Sequence, residues 1–234
     1  MEVQKSTKHT YPKPRLKVCC IASVEEAQLA IDYGAVAIGL VSSMPSGPGV
    51  IPEELIGEIA VAVPPGIGTF LLTSSEDVDE IIAQQERCRV NTLQLCNPLP
   101  VNDIEYLKQA LPDVSMVPVI HVVDEDAIEQ AKAMSQVAHA LLLDSGNPNK
   151  RIKELGGTGR THDWSISRSI RESVSIPVFL AGGLHADNVG AAIRQVQPYG
   201  VDVCSGLRTD DVLDEAKLTA FIRSMDAARM SLGS

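Results

Sequence analysis

Two residue types in this chain could move protons at one place. Leu141-Leu-Leu-Asp144 is an apolar run that ends in a carboxylate, and Lys17-Val-Cys19 puts a thiol at the end of another. A carboxylic acid can protonate an oxygen, and a cysteine with a tuned pKa can take a proton. Facing each other, the two would form an acid/base pair. Glycines follow in three places: Gly156-Gly-Thr-Gly159, Ala181-Gly-Gly-Leu184 and Cys204-Ser-Gly-Leu207. Loops without a Cβ let backbone N–H groups approach an anion closely. Three of them, each after an apolar run, suggest one phosphate-binding rim.

Each candidate has a plainer reading: Cys19 as a buried structural thiol, Asp144 as a helix cap or a loop-ordering carboxylate. His121, His139, His162 and His185 are read as structural, with His185 opening a phosphate-side loop. Cys19-Cys20 lacks the spacer and second ligand pair of a zinc motif, so no metal site is expected. Asp163 and Trp164 are read as the start of a helix, where a carboxylate is favourable.

These residues need elements to hold them, and the chain alternates strand and helix almost throughout. Strands are expected at 16–21, 35–41, 67–72, 92–95, 115–121, 138–143, 176–181 and 201–204. Helices are expected at 23–33, 53–63, 76–88, 102–110, 125–135, 163–173, 187–197 and 215–225. Ser23-Val-Glu-Glu26 has capping-box spacing, Gly34 stands at a helix end, Pro52 opens a helix, and Ser75 is the expected cap of the third. The strands are continuous apolar runs, as when both faces are buried. The pattern is that of a single α/β domain, a (β/α)8 TIM barrel over 15–234, with active sites at the C-terminal strand ends. A doubly wound open sheet is the alternative, but it wants a glycine fingerprint after the first strand, and Cys19-Cys-Ile-Ala-Ser23 has no glycine. Residues 1–14 have no place in the barrel and are expected to be a flexible arm. Strand parity groups Lys17, Cys19 and Ile21 on one face and turns Cys20 outward toward the helices; Gln94 and Cys96 end strand four.

Composition narrows the partners. Thirty acidic against twenty basic residues leave a formal net charge of −10. That argues against nucleic acid and anionic membranes, though not against an anionic metabolite held by backbone dipoles. No apolar run approaches the ~20 residues of a spanning helix, and Met1–Pro14 has no signal-peptide h-region. Five cysteines without regular spacing read as reduced cytoplasmic thiols.

Taken together, the motifs resemble the phosphoribosylanthranilate isomerase family, a ribulose-phosphate-binding type of barrel. The resemblance runs from Lys17 to Ile222: Lys17-Val-Cys19, Gly34-Ala-Val-Ala-Ile-Gly39, Leu142-Leu-Asp144, Gly156–Gly159 with Asp163-Trp164, Leu180–Val189 and Gly200–Gly206. It implies an isomerase of tryptophan biosynthesis that works without a cofactor. An aminoaldose phosphate would become an aminoketose phosphate by an Amadori rearrangement. By resemblance, Cys19 is the general base and Asp144 the general acid. The phosphate would sit on N–H groups near Gly157, Gly183, Ser205 and Gly206, and Lys17, Gln94 and Arg160 would meet substrate. The protein would act as a monomer or homodimer.

Three positions depart from the family pattern. Its Ser-Pro-Arg after strand two, whose arginine meets the anthranilate carboxylate, is Pro45-Ser-Gly-Pro-Gly49 here. Its Gln-Leu-His-Gly is Gln94-Leu-Cys96-Asn97, and the glycine after the catalytic cysteine is Cys20. The phosphate end and the acid/base pair are kept while the aromatic end is altered. Arg160 or Arg208 would then have to supply the missing charge, or the loop would serve another phosphosugar.

Overall fold

A computed structural model describes residues 14–157 and 159–232. Its parallel strands close into a barrel in chain order. They are β1 (Arg15–Val18), β2 (Ala37–Val41), β3 (Gly68–Thr73), β4 (Thr92–Leu95), β5 (Ser115–His121), β6 (Leu141–Asp144), β7 (Val178–Leu180) and β8 (Gly200–Val203). The helices between and after them are α1 (Val24–Asp32), α2 (Glu53–Ala62), α3 (Val78–Cys88), α4 (Val101–Ala110), α5 (Asp126–Met134), α6 (Trp164–Ser173), α7 (Val189–Val196) and α8 (Glu215–Leu232). The open sheet is ruled out, because β1 pairs with both β2 and β8.

Two apolar layers hold the barrel. Alternate strand residues such as Val18, Leu93, Leu141 and Leu143 pack outward against the helices. The others, including Phe70, Leu72, Val119, Leu142 and Phe179, fill the interior. Parity therefore turns Asp144 inward beside Leu142, and Asp202 inward between the outward Val201 and Val203.

Local signals set most boundaries. The Ser23 hydroxyl accepts from the Glu26 N–H at 3.2 Å, and the Glu26 carboxylate accepts from the Ala22 N–H at 2.9 Å, a near capping box. Gly34 follows α1 with φ 89°. The cap of α3 is Asp77 rather than Ser75: its carboxylate accepts from the Asp79 and Glu80 N–H groups, which an ionised oxygen does better than a hydroxyl. Asp163 caps α6 through the Ser165 N–H. α8 runs past the expected 225, and a small antiparallel pair, β9 (Arg208–Thr209) and β10 (Val212–Leu213), precedes it unforeseen. Among the described residues, no helix is long and apolar enough to cross a membrane. The arm expected at 1–14 lies outside the described residues except for Pro14, which is buried, with its carbonyl accepting from Arg229.

Two expectations about cysteine are corrected together. Strand parity ends at Val18, because Cys20 takes a left-handed φ of 64°. Its side chain therefore faces the barrel mouth with Cys19, while Ile21 packs on the helix side. There Cys20 forms a disulfide with Cys204, their Cα atoms 5.9 Å apart, so only Cys19, Cys88 and Cys96 are free thiols. The two partners lie 184 positions apart in sequence, and only closure of β1 against β8 brings them together.

Candidate active site

The C-terminal strand ends surround an open cleft. Cys19 and Asp144 both line it, each almost fully buried among its walls. The backbone N–H of Cys19 donates to the Val203 carbonyl at 2.8 Å, which ties the end of β1 to β8. Burial pushes the Cys19 thiol up to about 11. Lys17 pulls it back by charge and hydrogen bonding, and Asp202 pushes it further up. Asp144 pairs across the sheet with His121. Its carboxyl is raised above the ordinary value, chiefly by burial, although the Ser145 N–H donates to Oδ1 at 2.8 Å. A buried carboxyl with a raised pKa suits an acid, whereas a buried thiol needs a cation to serve as a base.

Glycines give the carboxyl its access. A Cβ on Gly156 would lie 2.9 Å from one Asp144 oxygen, and one on Gly182 would lie 3.1 Å from the other. Gly183, at φ 59°, leaves no room for a side chain, because its Cβ would lie 2.5 Å from the Arg160 carbonyl carbon. Gly157, Gly183 and Ser205 line the cleft with backbone in reach. Gly206 sits behind them, packed so closely on the Leu184 carbonyl that a Cβ would meet it at 2.0 Å.

The expected substrate contacts divide. Gln94 lines the cleft, and its Oε1 is buried without a hydrogen-bond partner, an acceptor open to a hydroxyl. Lys17 does not reach the cleft: it is 0% exposed, beneath Cys19, and its ammonium donates to Asp202 Oδ1 at 2.9 Å. Arg160 has its guanidinium on Glu154 and stands 56% exposed outside the cleft lining. Arg208 is no replacement cation either. It is buried and held by both Glu26 oxygens and by the carbonyls of Asp211 and Cys20. The histidines lie in structural bonds: His121 on the Cys96 carbonyl, His139 under the Met116 N–H and His162 on the Ser167 hydroxyl. His185 stands near Asp187. Burial lowers His162 to about 4. Among the described residues, no cluster of His, Cys, Asp and Glu could hold a metal.

Asp202 was missed as a site residue, although a carboxylate inside the apolar Gly200-Val-Asp-Val203 strand is itself a signal. It lines the same cleft as Asp144. Lys153 was missed too. It comes from the β6–α6 loop and stands between Glu76 and Asn97 at the ends of β3 and β4, its ammonium 3.2 Å from the Asn97 side-chain oxygen.

The β2–α2 loop is packed on three sides. Ser46 donates to the Lys153 carbonyl at 2.8 Å, and Pro48 rests on Gly157. Gly49, at φ 81°, abuts Cys20 so tightly that a Cβ would lie 2.5 Å from the cysteine Cβ.

Fold and site together define a (β/α)8-barrel enzyme with a thiol and a carboxyl at its mouth, bordered by glycine-rich loops. Comparison with known proteins sharpens this. The family model for N-(5'-phosphoribosyl)anthranilate isomerase matches residues 16–224, and the chain belongs to that family. An isomerase of this name from Methanosarcina mazei is 39% identical over 210 residues, covering 89% of this chain and 92% of that protein. One from Haloferax volcanii is 35% identical, covering 92% and 94%. Among solved structures, phosphoribosyl anthranilate isomerase from Thermotoga maritima superposes with a TM-score of 0.78 at 27% identity, covering 92% of this chain and 99% of that one. A second such enzyme, in complex with reduced 1-(o-carboxyphenylamino)-1-deoxyribulose 5-phosphate, gives 0.75 at 25%, covering 92% and 99%.

Proposed function

We propose that this chain isomerises N-(5'-phosphoribosyl)anthranilate by proton transfer between Cys19, Asp144 and the sugar. The chain is an isomerase of tryptophan biosynthesis, acting on a small phosphosugar. Asp144 gives its proton to the ring oxygen, and the C1–O bond breaks as nitrogen forms a C1=N bond. The Cys19 thiolate then takes the proton from C2, leaving an enolamine. Tautomerisation delivers the aminoketose with no net gain or loss of electrons. Gln94 Oε1 accepts from a sugar hydroxyl. Backbone N–H groups at Gly157, Gly183 and Ser205, with Gly206 shaping the turn behind, hold the phosphate.

The observation that carries this reading is the thiol and the raised carboxyl on one cleft, flanked by loops that only glycine can build. The relatives' names support the aglycone. The cleft takes a small phosphosugar rather than a macromolecule. One feature favours a second reading, a different amine on the same sugar phosphate: Pro48 or Gly49 stands where a carboxylate-binding arginine would, and Arg160 and Arg208 are both engaged elsewhere. Steady-state kinetics on phosphoribosylanthranilate separate the two. Turnover of phosphoribosylanthranilate, with a KM raised by the missing arginine, and growth of an isomerase-deficient tryptophan auxotroph are expected; a KM in the low micromolar range would show that another residue holds the carboxylate. Turnover of another phosphosugar amine at much higher kcat/KM would overturn the first reading.

A further inference from the structure

Lys17 poses a problem that its neighbours answer. An ammonium with no exposed surface is costly, and a pair of apolar residues would serve stability as well as the Lys17–Asp202 ion pair. The side chain also lies against the face of Phe70, 5.0 Å from the ring centroid, deep in the barrel. What distinguishes the position is Cys19. The two residues alternate inward along β1, and both converge over Gly39 of β2. A Cβ there would lie 2.5 Å from the Cys19 sulfur and 3.0 Å from the Lys17 nitrogen. Those two contacts keep sulfur and ammonium inside the ~6 Å over which one charge favours an opposite one. Gly39 is the gap that lets them meet.

We propose that Lys17 is a positioning residue for the isomerisation: its ammonium, anchored by Asp202, stabilises the thiolate of Cys19 from beneath. This rests on Cys19 being the base. The groups facing that thiol are Lys17 on its own strand, Asp202 on β8, Cys96 on β4 and, across the cleft, Asp144 on β6. Of these only Lys17 is cationic; Asp202 opposes the thiolate directly while holding the lysine in place. Removing Lys17 must therefore raise the Cys19 thiol, and removing Asp202 as well, with no lysine left to anchor, must bring it down again, which damage to the fold would not do.

The test is the pH dependence of Cys19 alkylation by iodoacetamide in the substrate-free protein, read by mass on the Cys19 peptide so that Cys88 and Cys96 do not interfere. Lys17→Met should slow alkylation at pH 7.5 about tenfold and lower kcat by a similar factor with little change in KM, since one unit of pKa is tenfold in thiolate. Lys17→Met combined with Asp202→Asn should alkylate faster than Lys17→Met alone, because with no lysine left to anchor, the charge removed is the one that opposes the thiolate. Should Lys17→Met not fold, Gly39→Ala still decides the matter. Gly39→Ala forces sulfur and ammonium apart and should slow alkylation without altering any charge. Unchanged alkylation profiles, or a double variant that alkylates more slowly than Lys17→Met alone, would overturn the proposal. Failure of the underlying reading looks different: Cys19→Ser would then keep its activity whatever alkylation shows.

Discussion

The two sides of the barrel mouth are built by different means. On the β6–β8 side, the rim between the Asp144 and Asp202 side chains is glycine-built turns: Gly183 lies against the Arg160 backbone, Gly206 against the Leu184 carbonyl and Gly157 against Pro48, with no room for a Cβ. On the β1–β4 side, side chains such as Met44, Leu72 and Gln94 form the wall, and there the chain departs from the family pattern, at Cys20, at Pro48 or Gly49, and at Cys96 and Asn97. A site made of N–H groups depends on conformation, so only changes that alter φ or add a Cβ damage it. A site made of side chains can be rewritten one contact at a time, provided each change leaves room for the next. Cys20 and Gly49 illustrate such a linked change. With the Cys20 Cβ in place, position 49 has no space for any side chain, so arginine at 49 requires a smaller residue at 20.

The largest effect should come where both sides depend on one chemistry. Cys19→Ser and Asp144→Asn should each lower kcat by roughly 10²–10⁴, the range for one general base or acid. If either variant keeps more than a tenth of the activity, the acid/base pair is wrongly assigned, and the contrast between the two sides concerns binding alone.

Next in size is the backbone side. Gly183→Ala must abandon φ 59° or collide with the Arg160 carbonyl. Losing one N–H bond to the charged phosphate costs about 1.5–3 kcal/mol, so KM should rise about ten- to a hundredfold with kcat much less affected. Binding of inorganic phosphate, followed by calorimetry, should weaken in parallel. Unaltered phosphate affinity would move the anion site away from these loops.

The smallest and most discriminating effect belongs to the side-chain side. Gly49→Arg alone should bind phosphoribosylanthranilate worse, because the new Cβ strikes Cys20. Gly49→Arg combined with Cys20→Gly removes the contacts with the Cys20 Cβ and sulfur, leaving φ 81° and the Cys20 Cα 3.0 Å from the new Cβ, and should bind better than Gly49→Arg alone by up to about tenfold, the lower end for a charge-assisted hydrogen bond. Cys204→Ser controls for loss of the disulfide. If the double variant binds no better, the carboxylate is already held by another cation, and Lys153→Met then becomes the informative change.

These contrasts also explain what could be read in the chain beforehand. The barrel was legible because eight apolar runs alternating with capped helices leave few other folds. Even β4 and β5 have the expected bounds. Cys19 and Asp144 were legible because parity and strand ends are local properties. Cys20 was not: its left-handed φ breaks the alternation on which the outward orientation rested, and its partner Cys204 is brought near only by closure of the barrel. Lys17 was read as a substrate contact because position along a strand says which face a residue takes but not its depth. Asp202, on the last strand, supplies that depth by pairing with it.

Closure of the barrel has one more result. A (β/α)8 chain meets itself at a single seam, where the first strand lies beside the last, and here Cys20 and Cys204 stitch that seam. The stitch encloses all but the outermost stretches of the chain in one covalent ring. By the loop-closure relation, a ring of this size restricts the unfolded chain by about 5 kcal/mol. A protease that severs any single peptide bond between the two cysteines opens the ring without releasing a fragment, so the nicked protein keeps its mass until a reductant separates the pieces.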